Sequence, residues 1–393
     1  MASQLVGRER RDFWILTLGQ FLMFVGYFSF FTFPIFIKSV GGGEVEIGIT
    51  MGVLTLAAAL FIPWLSALVE WVNLKRLLLV GLVVLALATL ACLTLREPGV
   101  WMASLMVLRG LGFGLYIIAS GTYVARILPA GERSRWIGVN FGFNQIAIAM
   151  GPGIGEFIIL RSHTAFFLVS TGFVVVATGL MLLITNRPPD PKGAPRFGWG
   201  AGFRFFGNLM SRDYRYVFFS LLLMACGLGA VFNFSATFLR GMGLSSGLFF
   251  AIYAVLNAVT RIGGGGVSDR YGRATVVLPA LAVFAGGLTV YSFAGPLWPM
   301  VVAATGIGLG FGFANPALIA QLLDRAPSHG QGTAIAGFHF AFNLGMLLST
   351  PMYGVIADAL GYRPMWRVAA GMLVISTLIY LLMERKGERP APE

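Results

Sequence analysis

The feature that most restricts this chain is a succession of apolar blocks, each about 20 to 27 residues long, separated by short polar segments. Phe13 to Ile37, Arg76 to Leu95 and Val217 to Leu239 are examples. A helix rises about 1.5 Å per residue, so each block is long enough to cross roughly 30 Å of hydrocarbon. Soluble domains carry roughly 25% charged residues. Here the figure is 11%, with 57% hydrophobic, so water is not the solvent for most of the surface.

The blocks predict an all-α polytopic membrane protein with helices near 13–38, 47–71, 75–96, 100–126, 136–160, 164–186, 215–239, 247–268, 274–294, 298–323, 331–357 and 366–383. Met1 to Asp12 is polar and basic, and the first block is too long for a signal-peptide core, so the first helix is expected to stay in the protein. Cys92 and Cys226 sit in separate blocks, which offers neither a disulfide framework nor a CxxC metal site. No HExxH sequence or GK[ST] ending is present; no cofactor, no metal and no enzymatic chemistry are expected.

The net charge of +12 is dispersed among the short connecting segments rather than gathered on one surface, which argues against a nucleic-acid partner. With the amino terminus in the cytoplasm, external segments hold only Lys38, Arg96, Arg161, Arg240, Arg363 and Arg367. Arg109 and Arg261 fall within spans, and every other Lys and Arg lies in a cytoplasmic segment. This asymmetry is the positive-inside pattern, and it predicts both termini in the cytoplasm.

Between the sixth and seventh helices, Pro188, Pro189, Pro191 and Pro195 block a continuous helix, and 187–214 is expected to be a cytoplasmic linker. The linker divides the chain into an amino-terminal bundle, 1–186, and a carboxy-terminal bundle with a short tail, 215–393. The two halves repeat. Asn144, Pro152 and Gly155 recur in constant register as Asn343, Pro351 and Gly354, Glu70 falls opposite Asp269, and Gly110 to Gly114 recurs, one residue out of register, as Gly308 to Gly312. Two similar six-helix bundles imply a pseudo-twofold axis along the membrane normal, a central cavity, and alternating access.

Gly265-Gly-Val-Ser-Asp269-Arg270-Tyr-Gly272-Arg273 ends the eighth helix, and Glu70, Lys75 and Arg76 form a degraded copy after the second. An acid at a helix end beside arginines can latch two bundles; the competing account is a solvated turn that fixes topology. The pattern G-x-x-x-D-R-x-G-R resembles the loop signature of the major facilitator superfamily, and the length, the twelve spans and the repeat agree with it. In that family the better copy usually lies in the first half, whereas here it lies in the second. The resemblance implies a secondary transporter of a small-molecule substrate, driven by protons, lipid-embedded and acting as a monomer in a bacterial inner membrane.

Arg109 lies about eight residues inside the fourth helix, where a guanidinium costs about 2.5 to 3.5 kcal/mol on insertion scales unless something meets it. By resemblance it matches the family's fourth-helix arginine, implicated in proton coupling or anionic substrates; a structural ion pair competes with that role. By depth its most available partner is Glu156 on the fifth helix. Around Glu156, Ala147 to Gly151-Pro152 and Gly155 partially match the antiporter signature G-x-x-x-G-P-x-x-G-G, with Glu156 at the last glycine. A carboxylate there is a candidate carrier of the coupling proton, or else an interfacial partner of Arg109 or Arg161. The partial signature favours efflux, with proton symport of a sugar, carboxylate or similar nutrient as the alternative and a non-transporting sensor a remote third.

Polar side chains in otherwise apolar helices are candidates to line the cavity: Gln20, Tyr27, Tyr116, Asn233, Asn315 and His339. The family's first, fourth, seventh and tenth helices line its cavity, which by resemblance ranks Tyr27, Tyr116, Asn233 and Asn315 first. The symmetric set Asn144, Gly151, Pro152, Gly155, Asn343, Pro351 and Gly354 is expected to serve helix packing, since substrate contacts need not obey the repeat.

Overall fold

A computed structural model of the chain describes residues 7–56, 59–60, 71–128, 133–186, 215–293, 295, 297–324 and 331–387. The fold is all-α and polytopic, with twelve helices and, among the described residues, no strand. The first, α1 (Gly7–Ser39), is continuous except for a 3-10 turn at Ser29–Thr32. It is followed by α2 (Glu44–Val53), α3 (Leu74–Ala91), α4 (Val100–Ile127), α5 (Arg133–Ile159) and α6 (His163–Met181). The remainder are α7 (Arg215–Gly241), α8 (Ser246–Tyr271), α9 (Arg273–Ser292), α10 (Leu297–Asp324), α11 (Gln331–Leu360) and α12 (Tyr362–Gly387). Nine of these, among the described residues, are long and apolar enough to cross a bilayer. The others are α2, described over ten residues, and α5 and α8, which are diluted by polar side chains and glycine. The expected linker 187–214 and Glu70 lie outside the described residues.

Local chemistry sets the helix ends. Asn73 caps α3 by accepting a bond from the Arg76 amide at 3.2 Å, and Ser162 caps α6 through the Ala165 amide at 3.1 Å. Gly41 and Gly243 follow α1 and α7 with φ of +87° and +70°, left-handed conformations that only glycine adopts cheaply, so both helices end in tight turns at matching points of the repeat.

The chain forms two compact units. Unit 1 comprises Met1–Gly42, Val53–Gly202 and Ser245–Ala251; unit 2 comprises Gly43–Gly52, Phe203–Leu244 and Ile252–Glu393. In unit 1, α1 packs on α5 and α6, while α3 packs on α4 and α6. In unit 2, α7 packs on α11 and α12, while α9 packs on α10 and α12. One pairing scheme therefore occurs twice, which is how the sequence repeat is expressed in three dimensions.

Small residues permit these contacts. A Cβ at Gly112 would stand 2.7 Å from the Gly81 carbonyl oxygen, and one at Gly310 would stand 2.6 Å from that of Ala280, so α3 with α4 and α9 with α10 touch backbone to backbone. Phe13, Leu16, Leu82, Tyr116 and Met181 form part of the buried core of unit 1. On α3, Val80, Val83, Leu87 and Leu90 form an exposed stripe at helical spacing. That inversion of the soluble pattern is what a lipid-facing helix requires.

Candidate functional site

Among the described residues of unit 1, one cation is fully buried. Arg109, 1% exposed, projects from α4 beneath α1 and α3. Its Nη1 donates to the Thr89 hydroxyl of α3, and its guanidinium carbon stands 3.3 Å from the centroid of the Phe30 ring and 5.8 Å from that of Tyr27. Tyr27 is itself stacked on Phe113, with centroids 4.1 Å apart. Nε and Nη2, the two nitrogens that share one edge of the guanidinium, have no hydrogen-bond partner. A cation supported by a hydroxyl and aromatic faces is partly compensated. Its remaining edge has the fork geometry that matches a carboxylate or phosphate in bidentate fashion.

Glu156 is not the partner of that edge. Its carboxylate accepts from the Ser245 hydroxyl at 2.8 Å and the Gly247 amide at 2.9 Å through Oε2, and from the Ser246 amide at 3.2 Å through Oε1. Arg109 meets α1 and α3, whereas Glu156 meets the first turn of α8. Arg161 donates to the Phe157 carbonyl at 2.6 Å and lies over the Phe157 ring, so it does not pair with Glu156 either.

The other polar candidates of unit 1 join helices to one another. Gln20 donates to the side-chain oxygens of Asn140 at 3.2 Å and Asn144 at 3.1 Å, and Asn140 in turn donates to the Thr17 hydroxyl at 3.2 Å, a network that ties α1 to α5. Tyr116 is fully buried where α4 meets α3. At the foot of the unit, Asp12 accepts from Tyr123 at 3.0 Å and from the Thr185 amide at 3.2 Å, joining α1, α4 and the end of α6.

In unit 2, Asn233 donates to the Thr350 hydroxyl at 3.1 Å, tying α7 to α11. Asn315 is buried on α10, with its side-chain oxygen lacking a partner. His339 is half-buried, and its carbonyl accepts from Asn343 at 2.8 Å. Arg261 donates to Asn257 at 2.9 Å, and Asn257 donates to Tyr253 at 3.2 Å, giving a polar row along α8. Glu44, in the first turn of α2, accepts from the Tyr362 hydroxyl at 2.7 Å.

Around the loop motifs, Lys75 donates to the carbonyls of Leu182 and Ile184, at 2.7 Å each, and so closes the end of α6, while Arg76 is exposed. Arg273 bonds Asp324 at 3.1 Å and the Ser268 hydroxyl at 2.8 Å. Gly272 adopts φ +91° at the turn between α8 and α9, and Arg270 lies over Tyr271. Gly265 and Asp269 fall within α8, with the Asp269 side chain outside the described atoms.

The packing set sits at close approaches. Gly151 and Gly155 meet α1, Gly354 meets the Glu44 carbonyl and Gly48 of α2, and Pro152 and Pro351 lie within their helices. Thr89, Phe30 and the Ser245 to Gly247 turn were not among the residues singled out from the sequence. Thr89 had a signal, as a hydroxyl in an apolar span, and Ser245-Ser246 before a helix is a capping pattern. Phe30 had none among 34 phenylalanines.

A family model described as Major Facilitator Superfamily matches residues 16–265 and 245–393. The chain is 22% identical over 364 residues to the staphylopine export protein of Staphylococcus aureus, covering 89% of this chain and 90% of that one. It is 21% identical over 392 residues to an uncharacterised MFS-type transporter of Methanocaldococcus jannaschii, covering 97% and 100%. Among solved structures it resembles the nucleoside transporter NupG with a TM-score of 0.79 at 14% identity, covering 95% and 99%.

Proposed function

Since the chain belongs to the Major Facilitator Superfamily, we propose that it is a secondary transporter that exports a small organic anion by alternating access in exchange for protons. It would lie in a bacterial inner membrane, as a monomer with both termini cytoplasmic and with 187–214 as the linker between halves 1–186 and 215–393. The charge asymmetry of the loops supports that orientation, and export agrees with the activity named for the staphylococcal relative.

The observation that carries the substrate class is Arg109. Burying a guanidinium is costly, and its neighbours Thr89, Phe30 and Tyr27 bring no negative charge. An acidic solute presenting two oxygens to Nε and Nη2 supplies both the charge and the missing bonds. The flat faces of Tyr27 and Phe113 favour a solute with an aromatic or planar apolar part.

Proteoliposomes with an imposed pH gradient test this. Outward-equivalent flux of carboxylate-bearing solutes should follow an inward proton gradient, and the matching amides should not be carried. Arg109→Gln should abolish flux, and Arg109→Lys, which keeps the charge without the fork, should lose at least about tenfold in kcat/KM. Undiminished flux of the carboxylate through Arg109→Gln, or equal transport of acid and amide by the unaltered protein, would overturn the assignment.

A further inference from the structure

A groove between α3 and α6 of unit 1 has no part in the anion site. It has a volume of about 310 Å³ and is walled by Val83 and Leu87 on one side and by Val175, Gly179 and Leu182 on the other. Gly179 makes the hollow, since a Cβ there would meet nothing within 4 Å. The neighbouring Thr178 turns its hydroxyl onto the Val174 carbonyl at 2.8 Å, so that polar group is satisfied within α6. Val83, Leu87, Val175 and Leu182 are exposed, and on apolar helices of membrane-crossing length such residues face lipid chains.

The mouth of the groove is basic. Arg76, Val80, Val83, Leu87 and Leu90 follow one another at spacings of three and four, which keeps all five within about 40° of one direction around α3. Exposed Arg76 therefore heads the same stripe that walls the groove. Lys75 donates to the carbonyl of Leu182, itself a wall residue, and to that of Ile184, at 2.7 Å each, and an ammonium has a third donor to offer. Arg11 reaches the Leu183 carbonyl at 3.5 Å, and its partner Asp12 is buried and held by Tyr123 and Thr185. Val175 and Leu182 are seven residues apart, so the groove runs about 10 Å along α6, within the roughly 15 Å of hydrocarbon that one leaflet provides.

The duplication supplies an internal comparison. At the constant register of the sequence repeat, Leu74 and His163, which open α3 and α6, correspond to Arg273 and Tyr362, which open α9 and α12. Thr178 corresponds to Thr377, whose hydroxyl likewise turns back onto its own helix, at the Leu373 carbonyl. The groove residues break this correspondence. Gly179 becomes Leu378, which is exposed, and Lys75 and Arg76 become Ala274 and Thr275. Arg273, one residue earlier, is bonded to Asp324 and Ser268. The shared pairing of helices therefore requires neither the glycine hollow nor the cations above it; they belong to one copy alone.

We propose that this groove seats one anionic glycerophospholipid, with an acyl chain lying over Gly179 and the phosphate meeting Arg76 and Lys75. Apolar walls accept the chain of any lipid, and the missing side chain at 179 gives that chain depth. The cations choose the headgroup. A guanidinium and an ammonium at the membrane surface attract net negative charge and bond phosphate oxygens, whereas a zwitterionic lipid brings an ammonium of its own to the same place. The seat concerns the membrane and not the transported solute, so it stands whichever solute is carried and in whichever direction.

Native mass spectrometry of the delipidated full chain, titrated with phosphatidylglycerol or with phosphatidylethanolamine of the same acyl chains, tests the seat. The unaltered protein should hold its first phosphatidylglycerol at least about fivefold more tightly than phosphatidylethanolamine. Arg76→Gln should lose about fivefold for phosphatidylglycerol and leave phosphatidylethanolamine unchanged. Gly179→Leu, which installs the side chain found at 378, should lose about tenfold by filling the hollow. Should Gly179→Leu fail to fold, phosphatidylglycerol carrying a photoreactive group on its acyl chain should label the unaltered protein within 83–87 and 175–182. Equal retention of the two lipids by the unaltered protein, Arg76→Gln or Gly179→Leu binding like the unaltered protein, or labelling confined to other helices overturns the proposal.

Discussion

Buried polar side chains in this protein divide into those whose bonds are completed within the chain and those whose bonds are not. Gln20 belongs to the first group: its amide serves both Asn140 and Asn144. Interhelical hydrogen bonds in membranes average only about 0.6 kcal/mol, but removing a shared donor strands two acceptors at once. Gln20→Leu is expected to cost about 1 to 3 kcal/mol, read as a drop of several degrees in the unfolding temperature in detergent, with little change in the affinity for solute. Arg109 belongs to the second group, and its variants should do the reverse, altering flux while sparing stability. Glu156 has its bonds completed by α8 rather than by Arg109, which separates two residues that depth alone made natural partners.

Helices meet here through glycine, and the cost of a methyl group depends on what faces it. A Cβ at Gly155 would stand 2.6 Å from the Ser29 carbonyl oxygen and 2.8 Å from the Thr32 hydroxyl, so α1 and α5 must part to admit it. Gly155→Ala should therefore destabilise the protein by about 1 to 3 kcal/mol, seen as reduced yield of monodisperse protein and earlier thermal unfolding. At Gly172 of α6 a Cβ meets nothing within 4 Å, and Gly172→Ala should be neutral or stabilising by up to about 1 kcal/mol through lost unfolded-state freedom. The two substitutions are chemically identical. Only the neighbours differ.

At the scale of the whole chain, the even number of spans and the distribution of Lys and Arg predict that both ends face the cytoplasm. A fluorescent protein fused after the last helix should fluoresce in cells, and a reporter that is active only outside should report from the α1–α2 turn at Gly41 to Gly43; the opposite pattern would reverse the topology. How far the amino-acid sequence reached follows from dimensionality. The length and apolarity of a block are properties of a line, so the all-α membrane fold, the twelve helices and the duplicated pairing were legible in it, as was the presence of a cation inside the fourth span. The partner of that side chain was not, because each residue turns about 100° around its helix axis, and small shifts in rotation and crossing select among neighbours. Tertiary packing alone decided that Arg109 rests on Phe30 and Thr89, that Glu156 grips the first turn of α8, and that segments of α2 and α8 are counted with the opposite unit. Hydrophobic length is written locally, but hydrogen-bond partners are assigned by contacts between residues far apart in sequence.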